Sequence, residues 1–204
     1  FRSNFNYAPQ DNWQRELDLI ASDSALREVI LSGGDPLTLT DKVLSPVLDR
    51  LDQMEHVRNV RIHTRVPIFL PQRIEDGLVE MLSRSRKKIV IVIHANHSRE
   101  FSAASRQALA RLHRSGFLLL NQSVLLRGIN DNVDVMEELI WTLNSLNVLP
   151  YYVHQLDRVN GTAHFYVAPD VGRDIFMKLR ARLPGYLVPK YVQEIPGEPS
   201  KIPV

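Results

Sequence analysis

The chain has 204 residues, no cysteine and a formal net charge of +2. That length supports one sizeable core, and no Pro/Gly/Ser-rich linker or charge block divides it, so residues 1–204 read as a single domain. The lack of cysteine excludes a disulfide framework within the chain, and a mildly basic balance with scattered Lys and Arg argues against a nucleic-acid binder.

In chain order, residues 12–21 carry a helical pattern ahead of the first strand signal. Val29-Ile30-Leu31-Ser32-Gly33-Gly34-Asp35-Pro36 then reads as a short apolar strand ending in two glycines, a carboxylate and a proline. Paired glycines at a strand end let bare backbone approach a ligand that side chains would block. After Thr40 as an N-cap, Val43, Leu44, Val47, Leu48 and Leu51 form an apolar helical stripe. A strand is expected at 57–65, a helix at 74–84, a strand at 87–97, a helix at 99–114 stopped by Gly116, and a strand at 117–123. Asp131-Asn132 opens a helix with the stripe Met136, Leu139, Ile140, Leu143 and Leu146. Strands at 149–157 and 185–195, with a helix at 168–182 between them, complete the pattern. Pro150 and Pro189 weaken those two strands, because proline donates nothing to a ladder.

The strand candidates are continuous apolar runs, as expected of a parallel sheet buried on both faces. Strand and helix alternate with a unit of about 30 residues, the length of a βαβ unit, and the units share no repeated motif. The chain is therefore expected to be α/β, a partial (β/α)6-type barrel of largely parallel strands, because it is short for eight units. A helix at 12–21 in a chain that opens on Phe1 suggests that the first unit is truncated. No apolar stretch approaches the ~20 residues needed to cross a bilayer and no secretory leader is visible, so no membrane contact and a cytoplasmic location are expected. Arg84-Ser85-Arg86-Lys87-Lys88 reads as a solvated helix–strand loop.

Parallel strands would bring Gly33, Gly34, Asp35, His63, Arg65, His94, Asn96, His97, Asn121, Gln122, His154 and Asp157 to one rim. Singly, each has a plainer explanation: a Gly-Gly-Asp-Pro turn is often just a loop, and a strand histidine is often scaffold. Their alignment across five strands is what favours a ligand site. His94, His97 and Asp35 leave a metal-dependent β/α-barrel hydrolase as one alternative, although positions three apart face opposite sides of a strand. A non-catalytic binding protein is another. Near the C-terminus, a lysine in a Pro/Gly segment is normally solvated. Lowered to a barrel mouth by the loop after the last strand, Lys201 would instead suit Schiff-base chemistry, for which pyridoxal phosphate is the common cofactor.

Six motifs occur in order over essentially the whole chain: Ser32-Gly33-Gly34-Asp35-Pro36, Asn121-Gln122-Ser123-Val124-Leu125-Leu126, Pro150-Tyr151-Tyr152, Gly161-x-x-His164-Phe165, Gly185-Tyr186-Leu187-Val188-Pro189 and Pro196-Gly197-Glu198-Pro199-Ser200-Lys201. Together they resemble the lysine 2,3-aminomutase family of radical S-adenosylmethionine enzymes. Within it the chain is most similar to the bacterial branch that makes (R)-β-lysine for modification of elongation factor P. The resemblance implies a radical S-adenosylmethionine barrel in which 185–204 carries the pyridoxal-phosphate lysine. The implied reaction moves the α-amino group of L-lysine to C3, using pyridoxal phosphate, S-adenosylmethionine and a [4Fe–4S] cluster, and is compatible with a homo-oligomer.

The same resemblance implies residue roles. Lys201 would hold pyridoxal phosphate, and Gly33, Gly34 and Asp35 would bind the methionyl end of S-adenosylmethionine. His94, Asn121 and Gln122 would contact its adenosine. Asp157 and Glu194 would grip the ε-ammonium of lysine while Arg2 pairs with its carboxylate, an arrangement that fixes both ends of the substrate and repels glutamate. Family members hold the cluster through Cys-x-x-x-Cys-x-x-Cys, which this chain lacks. The expectation is a chain that starts just after that motif, with no metal ligand of its own and no activity by itself.

Overall fold

The computed structural model describes residues 13–157, 159–198 and 200–204. Arg2 lies outside them. The elements run α1 (Gln14–Ser22), β1 (Glu28–Leu31), α2 (Asp41–Asp52), β2 (Asn59–Thr64), α3 (Val66–Phe69), α4 (Asp76–Ser83), β3 (Lys88–His94), α5 (Ala103–Arg114), β4 (Leu118–Val124), α6 (Val133–Ser145), β5 (Leu149–His154), α7 (Pro169–Arg182), β6 (Lys190–Gln193) and β7 (Ile202–Pro203). Strands β1 to β6 lie side by side in chain order, each pair parallel, and β7 adds antiparallel to β6. Parallel neighbours cannot be joined by a tight turn, so α2, α4, α5, α6 and α7 supply the crossovers. The result is an open, largely parallel α/β barrel with an antiparallel seventh strand that the sequence did not suggest.

The core lies between the helices and one face of the sheet. Val60, Ile62, Ile91, Ile93, Leu119 and Val153 from the strands meet Leu44, Leu48, Leu78, Leu109, Leu139 and Leu179 from the helices. The opposite, inner face carries the alternate positions. In β3 these are the buried Val90 and Val92, as a strand apolar on both faces requires. Strand β2 departs from that expectation: Val60, Ile62 and Thr64 are buried, whereas Asn59, Arg61 and His63 are half-buried on the inner face.

Helix signals in the sequence match local geometry. Asn132 caps α6 by accepting from the Asp134 amide at 2.8 Å, and Ser102 caps α5 by accepting from the Ser105 amide at 3.2 Å. Gly116 ends α5 with φ 84°, where a side chain would be strained. Thr40 precedes α2 but makes no side-chain cap bond. Pro150 lies in β5, and the ladder to β4 shifts register there, between Asn121 and Gln122, which accommodates the missing donor. The expected strand at 185–195 is shorter than read: Gly185–Leu187 form a 3₁₀ turn and β6 starts only after Pro189. Among the described residues no helix is long and apolar enough to cross a membrane.

Candidate functional site

The rim begins where β1 ends. Gly33, Gly34 and Asp35 follow one another at φ 85°, 62° and 52°, an all-left-handed run that two glycines make accessible. Nothing lies within 4 Å of the place a Cβ on Gly33 would occupy, so its backbone faces open space. Asp35 holds this turn in place. One carboxylate oxygen accepts from the Thr64 hydroxyl at 2.6 Å and the Leu37 amide at 3.2 Å, and the other accepts from the Arg65 amide at 2.6 Å. The carboxylate thus ties the end of β1 to the end of β2 and presents the glycine backbone to the rim.

At the next corner β3 and β4 end together, with His94 opposite Gln122 in the ladder and both on the inner face. Burial, and then the nearby Arg65 guanidinium, push the His94 imidazole below its ordinary pKa. His94 Nε2 lies 3.3 Å from Asn96 Oδ1, which also accepts from the Val124 amide at 2.8 Å. Asn121 points the other way. It is 2% exposed, accepts from the Ala95 amide at 2.9 Å and donates to the Ala95 carbonyl at 3.1 Å, pinning the loop after β3. His97 caps the following 3₁₀ turn by accepting from the Arg99 amide at 3.1 Å.

The metal-hydrolase alternative fails on this geometry. Asp35 is bonded through both oxygens, His97 is a cap, and among the described residues no group of three His, Cys, Asp or Glu is placed to hold a metal.

The far side of the rim is built by β5, β6 and β7. Because β7 runs antiparallel to β6, with Gln193 opposite Ile202, the residue just before β7 returns to the rim beside the residue just after β6. Those residues are Lys201 and Glu194, and they form an ion pair. A turn closed by the Glu198 amide donating to the Ile195 carbonyl at 3.1 Å joins the two strands. The Lys201 ammonium also sits 5.9 Å from the centre of the Tyr152 ring. At the end of β5, burial and then the Lys201 charge lower the pKa of His154, against the opposing pull of Glu194 and Asp157. The two carboxylates expected to grip an ammonium therefore both bear on the same imidazole, from neighbouring strands.

Between these corners the inner wall carries Arg61 and His63. Arg61 pairs with Glu28 at 2.5 Å. The His63 pKa is lowered to about 4, chiefly by burial and then by Arg61, Lys201, His154 and His94. Arg61 escaped the sequence reading. The signal was present: a guanidinium two residues before His63, alternating with the apolar Val60 and Ile62, shares its face.

No protein-family model matches the chain. Among solved structures it resembles a radical SAM methyltransferase from Sphaerobacter thermophilus, with TM-score 0.58 and 16% identity over 87% of this chain and 54% of that one. The open, largely parallel α/β fold is thus shared with that structure. The chain is 46% identical over 208 residues to the L-lysine 2,3-aminomutase of Escherichia coli K12, an alignment covering 100% of this chain and 61% of the relative. It is 44% identical over 206 residues to the enzyme of the same name from Buchnera aphidicola, covering 99% and 61%. By sequence the chain is similar over its whole length to L-lysine 2,3-aminomutases, and it spans about three fifths of the length of those relatives.

Proposed function

We propose that this chain is the barrel portion of an isomerase that moves the α-amino group of L-lysine to C3, giving (R)-β-lysine for elongation factor P. The observation that carries the reading is the pairing of Lys201 with Glu194 at the rim. Glu194 there already holds a primary alkylammonium, the group at the end of a lysine side chain, with Asp157 three residues past the end of the neighbouring strand β5. A carbonyl cofactor held by Lys201 would draw its nitrogen away from Glu194 and leave that carboxylate to a substrate ammonium. Relatives named L-lysine 2,3-aminomutase support the same substrate.

The residues present fit pyridoxal phosphate and S-adenosylmethionine. Lys201 offers a rim-facing amine beside the Tyr152 ring, and Arg61 Nε and His63 Nε2 are buried with no hydrogen-bond partner among the described residues. The open backbone at Gly33 suits the methionyl end of S-adenosylmethionine. When bound, pyridoxal phosphate supplies a conjugated π-system that makes a substrate radical accessible, and S-adenosylmethionine is the radical source. A [4Fe–4S] cluster is a different matter, because the chain has no cysteine and supplies no thiolate for it.

Within the reaction Asp157 and Glu194 bind the ε-ammonium, Asp35 keeps the Gly33–Gly34 backbone in position, and Arg2 is assigned to the substrate carboxylate. His94 and Gln122, opposite one another at the ends of β3 and β4, are assigned to the adenosine, a reading their shared face supports. The test is made on the whole protein under anaerobic conditions, with reductant, S-adenosylmethionine and pyridoxal phosphate. L-lysine should be converted to β-lysine of R configuration, and borohydride followed by peptide mapping should label Lys201. A label on another lysine, or no β-lysine from fully loaded protein, overturns the proposal.

A further inference from the structure

Two donors on the inner wall have no assigned purpose. Arg61 is 17% exposed at its side chain, and its Nη2 is held at 2.5 Å by Glu28, which fixes the plane of the guanidinium. Its Nε is buried without a partner among the described residues, and so is Nε2 of His63, two residues further along the same face of β2. A buried donor left without a partner is destabilising, so a strand that keeps two of them adjacent is explained if something outside the described residues satisfies both.

The surroundings indicate the charge of that group. Arg61 and Lys201, the standing cations here, act on His63 in the direction of positive potential. The carboxylates nearby are engaged, Glu28 with Arg61 and Glu194 with Lys201. A cation would be repelled, while a neutral imidazole can still donate through its protonated nitrogen. We infer that Arg61 and His63 form an oxyanion site on the inner face of the barrel, one that takes a phosphate or carboxylate group of a small ligand. The site stands on these donors alone; only its two candidate sources, the phosphate of a carbonyl cofactor joined to Lys201 or the carboxylate of an amino-acid substrate, rest on the function proposed above.

The experiment uses the whole protein with Arg61→Met and His63→Phe variants, plus Glu28→Gln/Arg61→Met so that no carboxylate is stranded, each checked by circular dichroism. Affinities are compared for pyridoxal 5′-phosphate against pyridoxal, and for L-lysine against 1,5-diaminopentane. The parent should prefer the anionic member of one pair by about tenfold, the worth of one charge-assisted hydrogen bond, and the variants should lose that preference while binding the other member normally. Loss in the first pair assigns the site to phosphate, and loss in the second to carboxylate. Inorganic phosphate should in addition shift the His63 imidazole signals in NMR spectra of the parent. If Lys201 fails to take up pyridoxal at all, the proposed function fails while the phosphate titration still decides the oxyanion site. Preferences unchanged in every variant, together with a His63 signal indifferent to phosphate, overturn the inference.

Discussion

Asp35 holds a backbone conformation, φ 52°, that costs a residue with a Cβ about 1–2 kcal/mol. Three hydrogen bonds to its carboxylate from Leu37, Thr64 and Arg65 offset that cost. Asp35→Ala should therefore lower the free energy of unfolding by about 1–3 kcal/mol in urea titrations, with Thr64→Val costing less because the Arg65 amide bond survives. Glu194 is 50% exposed at its side chain, so its ion pair is screened. Asp157→Asn or Glu194→Gln should accordingly raise KM for lysine by about tenfold with kcat little changed, as expected of uniform ground-state and transition-state binding. A larger fall in kcat than rise in KM would contradict this. Acid should act through the inner-face histidines. His63, His94 and His154 all have folded-state pKa values below 6.5, His63 down to about 4. Between pH 6.5 and about 4 the unfolded chain takes up protons that the folded chain does not, so stability falls as pH is lowered through that window. Urea midpoints measured from pH 7 to 4.5 should show the fall, and His63→Phe should flatten it.

At the scale of elements, α7 and β6 meet at a close approach. The Tyr191 ring stacks on Phe176 at 4.8 Å and donates its hydroxyl to Gln155. A Cβ on Gly172 would run into the Tyr191 phenol. Gly172→Ala should destabilise the protein by about 1–3 kcal/mol in thermal or urea unfolding, whereas Gly185→Ala, with open space beside it, should not. Tyr191 matters beyond packing, because its carbonyl accepts from the Val204 amide at 3.1 Å and so holds the strand that follows Lys201. A repacked Tyr191 should reach Lys201 through β7, visible as weaker pyridoxal phosphate uptake in Gly172→Ala. The strand–helix alternation was legible residue by residue, since short continuous apolar runs and stripes of period near 3.6 are local properties. Boundaries were less so: the run at 87–97 continues three residues past the end of β3 at His94, because Asn96 and His97 go to Glu100 and the 3₁₀ turn rather than to the ladder.

For the whole molecule, the open parallel barrel gathers strand ends distant in sequence onto one rim, with Gly33 and Asp35 on one side and His154, Glu194 and Lys201 on the other. A ligand that binds only this assembled rim stabilises the fold by mass action, about 2.7 kcal/mol at a hundredfold excess over its Kd. Pyridoxal phosphate should therefore raise the melting temperature of the parent protein and leave Lys201→Ala unmoved. By itself the sequence determined the α/β class, the parallel order and most of the residues that reach the rim, because a strand's apolar run and its polar end follow each other along the chain. It also carried the family resemblance, which needs only motifs in order. Tertiary structure alone decided which way those rim residues act. Asn121 and Gln122 are neighbours in sequence, yet one turns to the Ala95 backbone and the other to the inner face, because successive side chains of a strand point to opposite sides. Asp35 ties two strand ends together, His97 caps a turn, and Arg61 and His63 share a wall with the distant Lys201. The antiparallel β7 that brings Lys201 to Glu194 leaves almost no trace in two residues of sequence, since its stability comes from the partner strand it meets.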